Sequence, residues 1–413
     1  MGVPFDFILF ALTLLGVALF HHHTLQVALT GMVTIALYKL LLGDFGGVPG
    51  LPGLAGLLAH EWVTLANLLG LLLGFALLAD HFERSHLTDL LPDVLPDDWK
   101  GGFWLLVIVA VISSFLDNIA AAMLGGAMAH VLYRGRVHVG YLAAIVAASN
   151  AGGAGSVVGD TTTTMMWIAG VSPVQVFEAY VGAIVAVLFF SVVAARQQHA
   201  YQPIMKDSPK QVNVDHARLA VVAIILVAAI ATNVFLNLRH PQALNDWPAI
   251  GIAVWVALLA TAGWRSPTWS LLPGALRGSI FLLALVMCAA MMPVKALPAA
   301  SWATTLGLGF VSAVFDNIPL TALALRQGGY DWGFLAYAVG FGGSMIWFGS
   351  SAGVALCNMY PEGRSVVAWV RGGWHVAVGY VLGFAALLLV LGWAPDEHVQ
   401  SRSKSQPVPA KSP

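Results

Sequence analysis

The motif Ser-x-x-x-Asp-Asn-Ile occurs twice in this chain of 413 residues, at Ser113–Ile119 and at Ser312–Ile318. Each copy lies in a long apolar stretch, 101–133 for the first and 296–325 for the second, in which the aspartate is the sole Asp, Glu, Lys or Arg. A carboxylate at the centre of a bilayer costs about 3 kcal/mol. The duplication therefore predicts an internal repeat, and repeats built around polar residues in apolar surroundings are typical of secondary transporters.

The composition predicts a membrane protein. Apolar residues make up 59% of the sequence and charged residues 9%, whereas a soluble domain carries about 25% charged residues. Because a spanning helix needs about 20 apolar residues, the chain has room for roughly ten to twelve spans. We expect an all-α polytopic protein of a bacterial-type inner or plasma membrane. The sequence shows no basic patch that would indicate a nucleic-acid partner.

Polar and apolar segments divide the chain into six parts. We predict N-terminal transmembrane helices over 1–59, a first repeat over 60–195, a polar linker over 196–218, connecting transmembrane helices over 219–264, a second repeat over 265–393 and a disordered tail over 394–413. The linker carries four Lys and Arg residues, which place it in the cytoplasm by the positive-inside rule. This arrangement permits inverted repeats.

Each repeat is predicted to contain a re-entrant hairpin followed by a broken helix. The hairpin tips are placed at 117–118 and at 316–317, where an Asp-Asn pair interrupts the apolar run. The breaks are placed at 149–162 and 342–353, which are rich in glycine and hydroxyl residues. Irregular backbone at membrane depth is tolerated only where protein or a water-filled cavity satisfies its polar groups.

The hairpin aspartates, Asp117 and Asp316, have two compatible interpretations. Each aspartate can cap the short helix that follows it. Alternatively, the tips meet near the midplane, where the two carboxylates bind a cation or exchange a proton together with Asn118 and Asn317. A serine or asparagine would cap the helix at a lower desolvation cost, which favours the functional interpretation.

Asp160 distinguishes the two repeats. It is followed by Thr161 and Thr162, and its counterpart in the second repeat is Ser350, followed by Ser351. A helix cap is the alternative role for Asp160. The apolar segments around Asp117, Asp160 and Asp316 contain no Lys or Arg, which predicts a cavity that favours cations. Hydroxyl and carbonyl oxygens suit a hard ion such as sodium.

The candidate ion- and substrate-binding residues share polar oxygen or amide groups in these breaks and tips. They are Asp117, Asn118, Ser149, Asn150, Asp160, Thr161, Thr162, Asp316, Asn317, Ser350 and Ser351, of which the three aspartates are predicted to bind transported sodium. We expect no catalytic residue and no resident cofactor.

These motifs resemble the ion transporter superfamily, which contains citrate transporters, divalent-anion/sodium symporters, arsenite pumps and NhaD-type sodium/proton antiporters. The resemblance is closest to the NhaD type and covers about 60–393. It rests on both Asp-Asn pairs, on Gly159-Asp160-Thr161-Thr162-Thr163-Thr164-Met165-Met166-Trp167-Ile168 and on Gly349-Ser350-Ser351-Ala352-Gly353. It implies two inverted repeats, re-entrant hairpins, broken helices and a homodimer that works by an elevator-like motion.

The sequence pattern is compatible with three functions to different degrees. The first is a sodium or lithium/proton antiporter in which cation and proton compete for the same carboxylates. The second is a sodium- or proton-coupled symporter of a citrate-like carboxylate or another small anion; such symporters usually carry Ser-Asn-Thr at both tips, whereas this chain has Ser149-Asn150-Ala151 at the first. The third is an intramembrane aspartyl protease, which requires Gly-x-Gly-Asp; the glycine spacing in 155–160 does not match. The antiporter is favoured, and no enzyme activity is expected.

Overall fold

The computed structural model describes residues 4–20, 23–87, 95–205, 213–239, 243–294 and 297–396, and among these every regular element is a helix. The α-helices are α1 (Phe5–Leu19), α2 (Thr24–Leu42), α3 (Gly50–Glu83), α4 (Trp99–Ser113), α5 (Asn118–Leu132), α6 (Val139–Ala154), α7 (Thr161–Ile168), α8 (Pro173–Phe177), α9 (Ala179–Tyr201), α10 (His216–Arg239), α11 (Ala243–Asp246), α12 (Ala249–Thr261), α13 (Leu272–Ala290), α14 (Trp302–Ser312), α15 (Asn317–Gln327), α16 (Trp332–Gly342), α17 (Ser351–Met359), α18 (Val366–Gly372) and α19 (Trp374–Val390). The prediction of an all-α chain is confirmed for this part. Most of the predicted tail and part of the linker lie outside the described residues.

Five helical segments of the described part are long and apolar enough to cross a membrane. They are Thr24–Leu42, Gly50–Glu83, Pro173–Tyr201, His216–Leu236 and Trp269–Ala290, and α18 with α19 forms a sixth that is bent by 58°. The remaining apolar helices have 10–17 residues. The sequence composition predicted ten to twelve full spans. Part of that apolar sequence forms the shorter helices instead, because it is interrupted at the tips and breaks.

The helices form two groups with separate hydrophobic cores. The first group, α4 to α9 with α14 to α19, has one core that contains Leu105, Ile145, Phe334 and Tyr380. The second group, α1 to α3 with α10, α12 and α13, has two smaller cores. The contacts between the groups include the hairpin tips, since Leu116 and Ile318 pack in the smaller cores.

Both hairpin tips have the same backbone conformation. α4 ends at Ser113 and α5 begins at Asn118, after Asp117 with φ −52° and ψ 141°. Asp316 precedes α15 with the same two angles. The carboxylate of Asp117 accepts a hydrogen bond from the Ile119 amide at 3.1 Å, and that of Asp316 accepts one from the Ile318 amide at 3.0 Å. Both aspartates therefore cap the helix that follows.

A buried serine fixes each hairpin to the neighbouring helix. The hydroxyl of Ser113 at the end of α4 donates to the carbonyl of Ser149 in α6 at 2.6 Å. The hydroxyl of Ser312 at the end of α14 donates to the carbonyl of Val339 in α16 at 2.8 Å. Such a bond inside a helix pair occupies a carbonyl lone pair that would otherwise find no partner in an apolar core.

Two glycines let the same helix pairs approach closely. A Cβ on Gly152 in α6 would collide with the carbonyl oxygen of Ala110 in α4. A Cβ on Gly342 at the end of α16 would collide with the carbonyl oxygen of Gly309 in α14. Small residues at such contacts are typical of helix packing in membranes. The recurrence of both the serine bond and the glycine contact shows that the two halves share one local geometry.

The described end of the polar linker is held by an ion pair. Asp215 accepts hydrogen bonds from Arg265 Nε at 2.9 Å and from Arg265 Nη2 at 3.3 Å, a bidentate arrangement. Its backbone amide also donates to the carbonyl of Ser85 at 2.9 Å. The hydrogen bond from the Arg265 guanidinium lowers the pKa of the Asp215 carboxyl. These contacts connect the start of α10 to the segments that follow α3 and α12.

Candidate functional site

The first glycine-rich break is shorter than predicted. α6 continues through Ser149 and Asn150 to Ala154, and the chain is not α-helical from 155 to 160. Asp160 then caps α7, since its Oδ1 accepts from the Thr162 amide at 3.1 Å. Its side chain is buried, with 3% of the residue exposed. The capping interpretation of Asp160 is thus correct. The second carboxylate oxygen of Asp160, Oδ2, takes no part in the cap.

The threonine string holds the broken segment in place. Thr163 Oγ1 donates to the carbonyl of Ser156 at 2.5 Å, and Thr164 Oγ1 donates to the carbonyl of Val157 at 2.9 Å. These bonds satisfy carbonyls that a continuous helix would have paired internally. Thr162 is different, because its side chain is buried and its hydroxyl bonds neither of these carbonyls. The hydroxyl lies beside the carboxyl group of Asp160 instead.

The breaks and tips of opposite halves pack against each other. α7 contacts α15, and α17 contacts α5. The amide Nδ2 of Asn317, at the second tip, lies 3.5 Å from Oδ2 of Asp160 in the first break. Within the second half, Ser351 Oγ donates to Oδ2 of Asp316 at 3.4 Å. Each predicted site residue at a tip therefore faces a broken helix.

A buried polar network fills the other side of this crossing. Asn118 Nδ2 donates to Asn150 Oδ1 at 3.0 Å, and Asn150 Nδ2 donates to Ser344 Oγ at 2.9 Å and to Ser350 Oγ at 3.2 Å. Ser344 was not among the predicted site residues, although its spacing of 190 residues from Ala154 equals the spacing of Gly343 from Gly153.

Two cavities open onto the tips. The first, of about 330 Å³, is lined by Asp117, Asp160 and Thr161 and by side chains of α3 and α13. The second, of about 260 Å³, is lined by Asp316, Ser351 and Asn358, the last of which sequence reasoning missed. Ile119, which directly follows the first tip, lines both. The three predicted sodium ligands are thus divided between two cavities.

Three carboxyl groups line the two cavities, those of Asp117, Asp160 and Asp316. Among the described residues that line them there is no Lys or Arg, and no ion pair involves Asp117, Asp160 or Asp316 in that part of the chain. Asp160 interacts electrostatically with both Asp117 and Asp316. A cation or a proton is the chemical species that can offset such buried carboxylates.

Ser149 lies apart from the cavities. Its hydroxyl is buried and donates to the carbonyl of Val146 at 2.9 Å, while its own carbonyl accepts from Ser113. It therefore stabilises the contact between α4 and α6. In the described structure it does not face either cavity.

The sequence is similar to those of known transporters. A family model described as "Citrate transporter" matches residues 5–342, from α1 to the end of α16. The relatives found by sequence include "Sodium/proton antiporter 1" of Arabidopsis thaliana, 27% identical over 368 residues, with 79% of this chain and 60% of the plant protein covered. The match thus spans less than two thirds of the plant protein.

Two bacterial relatives are matched over more of their length. The protein "Na(+)/H(+) antiporter NhaD" of Vibrio parahaemolyticus is 28% identical over 381 residues, with 78% of this chain and 90% of that protein covered. The protein of the same name from Halomonas elongata is 26% identical over 357 residues, with 71% and 68% covered. These transporters and the long apolar helices identify a multi-pass membrane protein. Since the family model matches most of the sequence, the chain belongs to the citrate transporter family.

Proposed function

We propose that this protein is a secondary active transporter that exchanges sodium or lithium for protons. The observation that carries the proposal is the environment of Asp160, a buried carboxylate that forms no ion pair with a described residue and lies beside the hydroxyl of Thr162. An isolated buried carboxylate is strongly unfavourable. Binding a cation or a proton removes this cost, so each ligand excludes the other.

Competition at one site couples the two fluxes. Asp117 shares the larger cavity with Asp160 and adds a second carboxylate, while Thr161 and Thr162 supply neutral oxygens. Oxygen donors of both kinds suit a hard cation. When protons occupy the carboxylates the cation leaves, and when sodium is in excess it displaces the protons. Asp316 and Ser351 form a second polar position in the smaller cavity.

The architecture supports two inverted repeats with re-entrant hairpins. The matched caps, serine bonds and glycine contacts relate α4–α7 to α14–α17. Binding sites between such repeats, formed by broken helices, are a general feature of secondary transporters. The two groups of helices have separate cores, and the cavities are lined by residues from both. An elevator-like motion would slide the first group along the second, within a homodimer as the resemblance implies.

A symporter of a citrate-like carboxylate is the second candidate, because the family model carries the description of a citrate transporter. Helix N-termini at the breaks could attract an anion. The lining of the two cavities argues against it, since the described residues there supply three carboxylates and no Lys or Arg. A carboxylate substrate would add further negative charge, which bound cations or protons would have to offset.

A flux panel in proteoliposomes tests the proposal. Purified protein is reconstituted with a pH-sensitive dye inside, and sodium, lithium, potassium and citrate are added separately. We expect sodium and lithium, but not potassium or citrate alone, to release protons from the lumen. Asp160→Asn should reduce the signal to that of protein-free liposomes, whereas Asp44→Asn, in the loop after α2, should leave it unchanged. Sodium uptake that requires citrate would overturn the antiporter in favour of the symporter.

A further inference from the structure

We propose that the ion pair between Glu61 of α3 and Arg326 of α15 closes the candidate site on one face of the protein and opens in every transport cycle. The inference rests on the proposed function. It adds to that function one identified contact between the two groups of helices that has to break before the site can reach the opposite side.

The ion pair joins the two groups directly. Arg326 Nη1 donates a hydrogen bond to Glu61 Oε1 at 2.8 Å, with α15 in the first group and α3 in the second. Both side chains are partly shielded, since 32% of the Arg326 side chain and 14% of the Glu61 side chain are exposed. The other ion pairs between described residues do not connect the two groups. A charge-assisted bond of this length is stronger than a bond between neutral groups.

The larger cavity lies between this ion pair and the linker. Along α3 the lining of the cavity runs from Leu68 to Ala79, towards the end of the helix. Just after that end, the carbonyl of Ser85 accepts from the amide of Asp215 in the linker. Glu61 lies seven residues before Leu68, on the other side, which is about 10 Å along the helix axis. The protein thus has a linker face, towards which the cavity extends, and an opposite face, where the ion pair lies.

An apolar core separates the cavity from the ion pair. Leu68 of α3 belongs to the same core as Ile318 and Leu323 of α15, and these three residues are at most 8% exposed. A desolvated cation in such a layer is strongly unfavourable. Release of an ion on the opposite face therefore requires α15 to move away from this part of α3. The 2.8 Å bond between Arg326 and Glu61 cannot persist through that movement.

The first hairpin has no equivalent ion pair. The spacing of 199 residues between the two tips pairs Arg326 with Ala127 of α5, and Ala127 is exposed. The end of α5 lies at the linker face, because the carbonyl of Leu132 accepts from the amide of Met205 in the linker. The difference between the hairpins agrees with an arrangement that is closed on the opposite face and open on the linker face.

Reversible cross-linking tests whether this contact opens. Both native cysteines are first replaced, as Cys288→Ala and Cys357→Ala, and Glu61→Cys and Arg326→Cys are then introduced. A short bifunctional methanethiosulfonate reagent joins the new thiols in proteoliposomes, and a reducing agent releases the link. We expect sodium/proton exchange to be lost in the linked molecules and to return after reduction.

The control is Asp6→Cys with Lys39→Cys in the same background. These residues form a 3.4 Å ion pair between α1 and α2, which are both in the second group. Linking them should leave the rate of exchange unchanged. Continued exchange by the linked Glu61→Cys/Arg326→Cys protein would overturn the inference, whereas absence of exchange in the wild type would remove the proposed function itself.

A second measurement covers the case in which the cysteine pair does not fold. Ala120→Cys in the cysteine-free background places one thiol in the larger cavity, and an impermeant thiol reagent is added to one face of oriented vesicles. We expect rapid labelling from the linker face and slow labelling from the opposite face. Glu61→Gln should raise the slow rate by about fivefold. Glu83→Gln, an exposed glutamate at the other end of α3, is the control. An unchanged slow rate in Glu61→Gln would also overturn the inference.

Discussion

Asn317 and Asp160 are 157 positions apart in sequence, yet the amide Nδ2 of the first lies 3.5 Å from Oδ2 of the second. The pair connects the tip of the second hairpin to the break of the first. Both residues are buried, with 4% and 3% of each exposed. The charged position is therefore built from both halves of the chain, and neither repeat could form it alone.

Replacing Asn317 should weaken cation binding. In Asn317→Ala the carboxylate of Asp160 loses its one side-chain hydrogen bond from the second half, so its position becomes less fixed. We expect the apparent KM for sodium to rise about tenfold, the size of effect given by one hydrogen bond to a charged group. Proteoliposome exchange measures it, with Gln202→Ala at the end of α9 as the control. An unchanged KM would show that the contact does not position the ligand.

The matched serine bonds predict matched losses of stability. Ser113→Ala removes the hydrogen bond to the carbonyl of Ser149, and Ser312→Ala removes the one to the carbonyl of Val339. Each should lower the free energy of unfolding by about 1 kcal/mol. Thermal denaturation in detergent measures the change, and the exposed Thr34→Ala in α2 is the control. A large difference between the two serine variants would contradict a common geometry of the halves.

Gly152 and Gly342 should not tolerate a side chain. In Gly152→Ala the methyl would overlap the carbonyl of Ala110, and in Gly342→Ala it would overlap that of Gly309. The obstacle is backbone, so the helices must separate, at a cost of about 3 kcal/mol or more. We expect aggregation or a strongly reduced melting temperature in size-exclusion and thermal assays. Gly56→Ala, where a Cβ meets open space, should be folded and at least as stable as wild type.

The ion pair of Asp215 with Arg265 predicts a pH-dependent contribution to stability. Because the folded-state pKa of Asp215 is lowered, the contribution is fully present above the unfolded value of about 3.9 and is lost as the pH falls through the folded value. Asp215→Asn should therefore melt at a lower temperature than wild type at neutral pH. The difference should shrink below about pH 4.

The control for this prediction is Asp246→Asn, an exposed aspartate at the end of α11. It should not change the melting temperature at either pH, since the structure shows no ion pair to it among the described residues. A difference between wild type and Asp215→Asn that persisted unchanged at low pH would contradict the assigned cause.

The hairpin tips could be predicted from sequence because charge in an apolar run has a high cost and because the pattern is repeated. The limits of the first break could not. Gly152 and Gly153 have low helix propensity, but both remain in α6. At Gly152 the packing of α6 against α4 explains why a residue of low helix propensity lies inside the helix. Only a residue without a side chain fits at this contact. Tertiary packing thus overrides local propensity at this position.

The division predicted at residue 60 falls within α3, which runs without interruption from Gly50 to Glu83. Glu61 lies inside this helix, where it forms a 2.8 Å ion pair with Arg326 at the end of α15. From sequence alone, a charged residue that forms an ion pair inside a helix cannot be distinguished from one at a helix end. Likewise, nothing local marks Asn358, because its place beside the smaller cavity depends on residues far away in the chain.

Ile119 lines both cavities and is therefore part of the partition between them. In an exchanger, any ion that passed this partition without its counter-ion would dissipate the gradient that the protein is there to convert. The efficiency of energy conversion then depends on a residue that binds no ion at all. Removing one or two methyl groups from Ile119 would therefore allow ions to flow through the protein without exchange.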